Sequence, residues 1–303
     1  MKKKIYGTLL LIVSTVLWGS SFAVRKIGMD QIGPLMQNAA RFFAAFCFML
    51  ILIACQAILK KKRGEIKKET VPVKLQVKYG IIIGSAFAAG SVFQQLGLMT
   101  VEAGKVGFIT SIYTVLVPII SFLFFKAKIR KQVWIGMLMS FIGLLCITRG
   151  GIGFEIGYLI LLSGSVLFAL HIILIGRYVH DANPLILATA QLAAGAVINL
   201  IMAVALREEF QLYMLKDGLV TILYTGVFSL GIANGLQFVG QKLIQPSVAA
   251  IVCSFESIFG LLFGMILLGE SMTAMQTVGS LMIFGAAIVS QIEIKKREDE
   301  VDG

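Results

Sequence analysis

From Pro246 to Leu268 the chain runs apolar for about twenty residues, the length a helix needs to cross the hydrocarbon of a bilayer, and a single carboxylate, Glu256, interrupts it near the middle. Such a segment leaves few options. In lipid its backbone N–H and C=O groups have no water to bond, so they must bond one another, and a helix is the solution open to a single segment. Pro246 suits the first turn of that helix, where its missing N–H would lack a partner anyway. Nine more runs of this kind follow from the sequence: about Met1–Val24, Pro34–Leu59, Tyr79–Met99, Gly104–Phe125, Val133–Thr148, Ile156–Tyr178, Pro184–Leu206, Gly218–Gly240 and Thr273–Ile294. Hydrophobic residues make up 58% of the chain and charged ones 14%, too few charges to cover a soluble protein. The expected fold is an all-α membrane protein of ten transmembrane helices. Lys2, Lys3 and Lys4 before an apolar run also describe a signal peptide. No convincing small-x-small cleavage site follows, so this run reads as an uncleaved first helix.

The opening stretch has an earlier copy, Ala103 to Lys126. At one constant offset, with no gap, Gly84 falls on Gly226, Gln95 on Gln237, Val106 on Val248 and Ile109 on Ile251, while Thr114 falls on Glu256. The second helices also match, PLMQNAAR (Pro34–Arg41) against PLILATAQ (Pro184–Gln191), which sets Arg41 opposite Gln191. Matching helix boundaries point to an internal duplication, with residues 1–150 and 151–303 as two five-helix repeats joined by the glycine-rich segment Arg149–Glu155.

Charge placement orients the repeats. With the N-terminus in the cytoplasm, the inner loops hold Lys2–Lys4, the basic stretch Lys60–Lys78, Lys126–Lys131, Arg177, Lys242 and Lys295–Arg297. The outside holds only Arg25, Lys26, Lys105, Arg149, Arg207 and Lys216. This is a strong positive-inside bias for two cytoplasmic termini in the cell membrane. Five is an odd number, so the halves then run in opposite directions. The net charge of +11 is accordingly a topology and lipid signal, and nucleic acid is not an expected partner; the partners are a small-molecule substrate and the bilayer. The chain does not reveal its oligomeric state.

Cys47, Cys55, Cys146 and Cys253 all lie in apolar runs without metal-ligand spacing, and read as small core residues. No metal and no cofactor is expected. The spans hold no HExxH, no Walker lysine loop and no serine–histidine or serine–lysine set, which argues against a membrane-embedded enzyme and assigns no catalytic residue. A channel or lipid scramblase is the other alternative to a transporter. Without a nucleotide motif, transport would be driven by gradients.

Four local patterns carry a resemblance: WGSSF from Trp18, ARF from Ala40, YTVLVP from Tyr113 to Pro118, and FES with LLGE between Phe255 and Glu270. Together with ten helices in two repeats, they make the chain resemble the drug/metabolite transporter superfamily, and within it the bacterial ten-helix EamA group. The resemblance implies a basket of two pseudo-symmetric halves around a central cavity, alternating access, and transport of amino acids or other small metabolites, often export. One departure stands out. The family's Gly-Glu pair after the fourth helix is replaced here by Lys126, Ala127 and Lys128, so no role transfers to a first-half acid.

Polar residues inside the spans are the site candidates, because an intramembrane polar group is costly unless it is paired or hydrated. Glu256 has two readings: a proton-coupling residue of the cavity, or a protonated acid that glues neighbouring helices. Gln95 and Gln237 fit substrate contacts and interhelical hydrogen bonds equally. His171 reads first as a packing residue and second as a cavity group. Thr114, Asn234, Tyr113, Trp18 and Ser21 complete the cavity set on position alone. Arg41 has two readings, attraction of an anionic substrate group or snorkelling towards the external headgroups, and the structural one comes first because its counterpart Gln191 is uncharged. Glu270, past a helix end, reads as solvated or interfacial.

Overall fold

A computed structural model describes residues 2–63, 71–147, 156–209, 212–271 and 273–292, and among them the regular structure is entirely helical. In chain order the helices are α1 Lys2–Met29, α2 Pro34–Lys62, α3 Val73–Thr100, α4 Ala103–Thr110, α5 Tyr113–Phe125, α6 Lys131–Ile147, α7 Ile156–Tyr178, α8 Pro184–Ala205, the short α9 Leu212–Asp217 and α10 Leu219–Leu223. A π-helical segment, Tyr224–Ile232, then leads into α11 Ala233–Gln241, α12 Pro246–Cys253, α13 Phe255–Leu268 and α14 Ala274–Gln291. Nine spans among the described residues are long and apolar enough to cross a membrane. The tenth, α6, has 17 residues, or about 26 Å of helix. The expected repeat boundary at 150/151, the joining segment Arg149–Glu155 and the charged tail from Lys295 lie outside the described residues.

Several boundaries differ from the sequence reading, among them the start of α3, which lies at Val73 rather than Tyr79 and takes Lys74 and Lys78 into the helix. The first helix continues past Val24 to Met29, which takes Arg25 and Lys26 out of the external loop and into α1. The fourth and ninth spans are each two helices. One breaks at Ser111–Ile112 between α4 and α5, the other at Ser254 between α12 and α13. These breaks fall at matching positions of the proposed duplication. The eighth span carries the π segment, whose wider turn no residue pattern announces.

Large apolar side chains cover the outside of the helices, while many polar side chains of the spans are buried beside an apolar core. Phe124, Val204, Val220 and Ile266 are largely exposed, as a lipid-facing belt requires, whereas Ser14, Thr15, Gln37, Asn38 and Asn199 are fully buried. Asn38 Nδ2 bonds both Ser91 Oγ, at 3.1 Å, and Asn199 Oδ1, tying α2 to α3 and α8. The four cysteines are free thiols, but only Cys253 is buried; Cys55 is exposed on α2, so they are not a set of core residues.

Two of the helix crossings are built on glycine. A Cβ on Gly84 would stand 2.7 Å from both Cα and O of Gln191. On Gly226 it would stand 2.8 Å from the carbonyl of Arg41. The expected duplication pairs Gly84 with Gly226 and Gln191 with Arg41, and under that pairing each half inserts the same glycine against the same position of the other.

The C-termini of α5 and α13 also correspond. Gly269 (φ 67°) and Lys126 (φ 50°) both adopt the left-handed conformation. The next N–H bonds back in each case, Ala127 to Ser121 O at 3.0 Å and Glu270 to Gly264 O at 3.2 Å. Glycine adopts this conformation freely; lysine does so against its Cβ. Lys126→Gly is therefore expected to stabilise the protein by about 0.5–1 kcal/mol. The check is the unfolding midpoint in detergent, and a midpoint at or below wild type would reject the strain account.

Candidate central cavity

The two helix breaks set the cavity's depth. The break at Ser254 places Glu256 in the first turn of α13. The break at Ser111–Ile112 makes Tyr113 the first residue of α5. The two meet there: Tyr113 OH donates to Glu256 Oε1 at 2.9 Å, linking the first half of the chain to the second. Glu256 is 6% exposed.

Around this pair lies a cavity of about 60 Å³, enough for a few waters. Trp18, Ser21, Tyr113, His171, Gln237 and Glu256, all expected from the sequence, line it. Trp18 is fixed by its indole N–H, which donates to the carbonyl of Ser229 in the π segment at 3.0 Å. His171 Nε2 donates to Gln191 Oε1 at 2.8 Å, and its ring stacks on Phe87 with centroids 4.5 Å apart. The Oε1 atom of Gln237 is buried and has no partner among the described residues.

Three expected residues stand behind the wall. Thr114 is fully buried and bonds the carbonyl of Ala250 at 3.4 Å, joining α5 to α12. Asn234 accepts from Gln191 Nε2 at 3.2 Å and donates to the carbonyl of Leu230 at 2.9 Å. Gln95 is likewise buried, and its role depends on a residue the sequence placed elsewhere.

That residue is Arg25. It is 2% exposed, projects from α1 into the interior and lines the cavity. Its Nε bonds Gln95 Oε1 at 2.8 Å, its Nη2 bonds the same oxygen, and its Nη1 bonds Gln94 Oε1 at 2.7 Å. Gln95 Nε2 in turn donates to Gln37 Oε1 at 2.8 Å. Arg41 also departs from expectation. It is 2% exposed and lines the same cavity, so it does not snorkel to the headgroups. Its Nε bonds Asn38 Oδ1 at 2.6 Å and its Nη2 bonds Ser91 Oγ at 3.2 Å.

A sequence signal for Arg25 did exist. Two adjacent glutamines in one span carry amide oxygens that need donors away from water, and Arg25 supplies them. Its position next to Lys26 made both look like a loop. Arg41 was masked by its uncharged repeat partner.

Glu270 is half-buried rather than free in solvent. Its Oε2 accepts from the backbone N–H of Gly104 at 3.1 Å, capping the start of α4. Glu208 does the same for α2, accepting from the N–H groups of Leu35 and Met36. Both acids come from the second half and cap helices of the first.

Comparison with known proteins agrees with this architecture. The sequence profile of the EamA-like transporter family matches the chain twice, over residues 5–149 and 155–291. An uncharacterized transporter of Archaeoglobus fulgidus is 32% identical over 292 residues, covering 96% of this chain and 88% of that protein. The uncharacterized inner membrane transporter YedA of Escherichia coli is 23% identical over 283 residues, covering 91% of this chain and 87% of its own length. A protein of known crystal structure superposes with a TM-score of 0.72 at 16% identity, covering 94% of this chain and 96% of that one, and so shares the fold. The chain belongs to the EamA-like transporter family, within the drug/metabolite transporter superfamily, and is a multi-pass membrane transporter.

Proposed function

We propose that the protein is a secondary carrier that moves a small organic solute across the cytoplasmic membrane by alternating access between two inverted five-helix halves. The observation that carries this reading is the cavity itself. Its wall is mostly apolar with a few charged and polar side chains set into it, it sits at the depth of the helix breaks, and residues of both halves contribute to it, with Tyr113 of one bonded to Glu256 of the other. In inverted-repeat transporters the substrate lies at that interface. The exchanged glycine contacts and the double family match support the duplication. Positive loop charge supports cytoplasmic termini and hence the inversion. Export is the direction that the resemblance implies.

The test is counterflow. Purified protein in liposomes preloaded with a transported solute should take up labelled solute transiently and saturably. Linear, non-saturating flux would instead identify a channel. A reporter at the C-terminus should read cytoplasmic; an external signal would end the inverted-half arrangement.

A further inference from the structure

We infer that the central cavity recognises an oxyanion, a carboxylate or phosphate group, through Arg41, with a hydrogen-bond donor of the same solute meeting Gln237. This rests on the carrier reading and names its class of cargo.

Two guanidinium groups line the cavity, both 2% exposed, and among the described residues neither has a carboxylate within ion-pair distance. Glu256, the one carboxylate in the wall, is instead bonded to Tyr113. Buried cations are ordinarily paired, so this wall carries an excess of positive charge. The two arginines are not equivalent. All three nitrogens of Arg25 are engaged by the amide oxygens of Gln94 and Gln95. Arg41 has Nε and Nη2 engaged, while Nη1 has no protein partner among the described residues. A guanidinium held at two corners with donors free at the third is preorganised for an oxyanion. Arg25 adds charge behind it.

Gln237 supplies the second point of recognition. Its Oε1 is an acceptor without a donor among the described residues, on a residue 2% exposed in the cavity wall. The residue it matches in the first half, Gln95, has its Oε1 filled by Arg25. No arginine fills the second-half position, so a hydroxyl or amine of the cargo can. Phe87, Phe168 and Leu230 make the rest of the wall apolar, which suits a small organic body rather than a bare ion.

The experiment uses purified full-length protein and five probes at equal concentration: propionate, lactate, inorganic phosphate, propionamide and propylamine. Thermal stabilisation is expected from the oxyanions and not from propionamide or propylamine. Lactate should exceed propionate, and phosphate against propionate tells which oxyanion fits. Arg41→Gln should weaken the best oxyanion at least ten-fold, and Gln237→Leu should erase the advantage of lactate. Should Arg41→Gln fail to fold, modification of Arg41 in the wild-type protein by phenylglyoxal, followed by mass spectrometry, replaces it; the best oxyanion should slow that reaction. Stabilisation by propylamine alone, undiminished anion binding in Arg41→Gln, or no protection of Arg41 would each overturn the assignment. Counterflow separates the two readings. Anion binding without any exchange leaves the site standing and removes the carrier. Saturable exchange of propylamine but of no anion keeps the carrier and removes the anion site.

Discussion

Glu256→Gln is expected to abolish solute accumulation driven by a pH gradient while sparing exchange between equally loaded sides. Glutamine keeps the size of the side chain and an oxygen that can still accept from Tyr113 OH, so the link between α5 and α13 survives. What it removes is the ability to alternate between a neutral and an ionised state. The cost of an ionised carboxylate in this position depends on whether the cavity is wet, so in the proposed carrier its protonation state would follow opening and closing. In a coupled carrier that alternation is the step at which the proton gradient acts. Proteoliposomes with and without an imposed gradient, beside exchange at equal pH, give the readout. Accumulation by the variant at the wild-type level would leave Glu256 as a packing or binding residue, and loss of both activities would point to a substrate contact instead.

The second large effect is structural. Gly84→Val and Gly226→Val are each expected to destabilise the protein by about 2–3 kcal/mol. The added atoms would meet backbone rather than yielding side-chain tips: Cα and O of Gln191 in the first case, the carbonyl of Arg41 in the second. The helices would have to separate, disturbing the residue beside the cavity in each half. Gly235→Ala is the control, since its Cβ would meet only Met49 Cε at 3.7 Å, an ordinary contact. Unfolding midpoints in detergent decide the matter. Wild-type stability in either valine variant would show that the crossing can open at little cost.

The parts of this fold legible in the sequence are those governed by the bilayer. Apolar run length and the prolines at positions 34, 184 and 246 located the helices because the lipid forces every backbone bond inward. The interior was less legible. Ser111 and Ser254 sit at helix breaks, but a serine in an apolar helix commonly bonds its own backbone and says nothing about a break. Thr114 and Asn234 were placed in the cavity on depth alone, and depth does not fix rotation about a helix axis; both turn towards neighbouring helices. Arg25 was lost for the opposite reason. Its charge outweighed its context, whereas two glutamine oxygens can hold a guanidinium within a span.

The divided spans also bear on leakage. A continuous rod crossing the whole membrane ties its two ends together: tilt one end and the other swings. Here α4 and α5 meet at Ser111–Ile112, and α12 and α13 at Ser254, at the level of the cavity. In the proposed carrier, each length would pivot there while its continuation stays seated. Glu270, clasped to Gly104, fastens one such length at one rim, independently of what α5 does at the other. A molecule whose rims move separately has the mechanical means to keep one shut while the other parts, and so to pass cargo without passing a stream of ions.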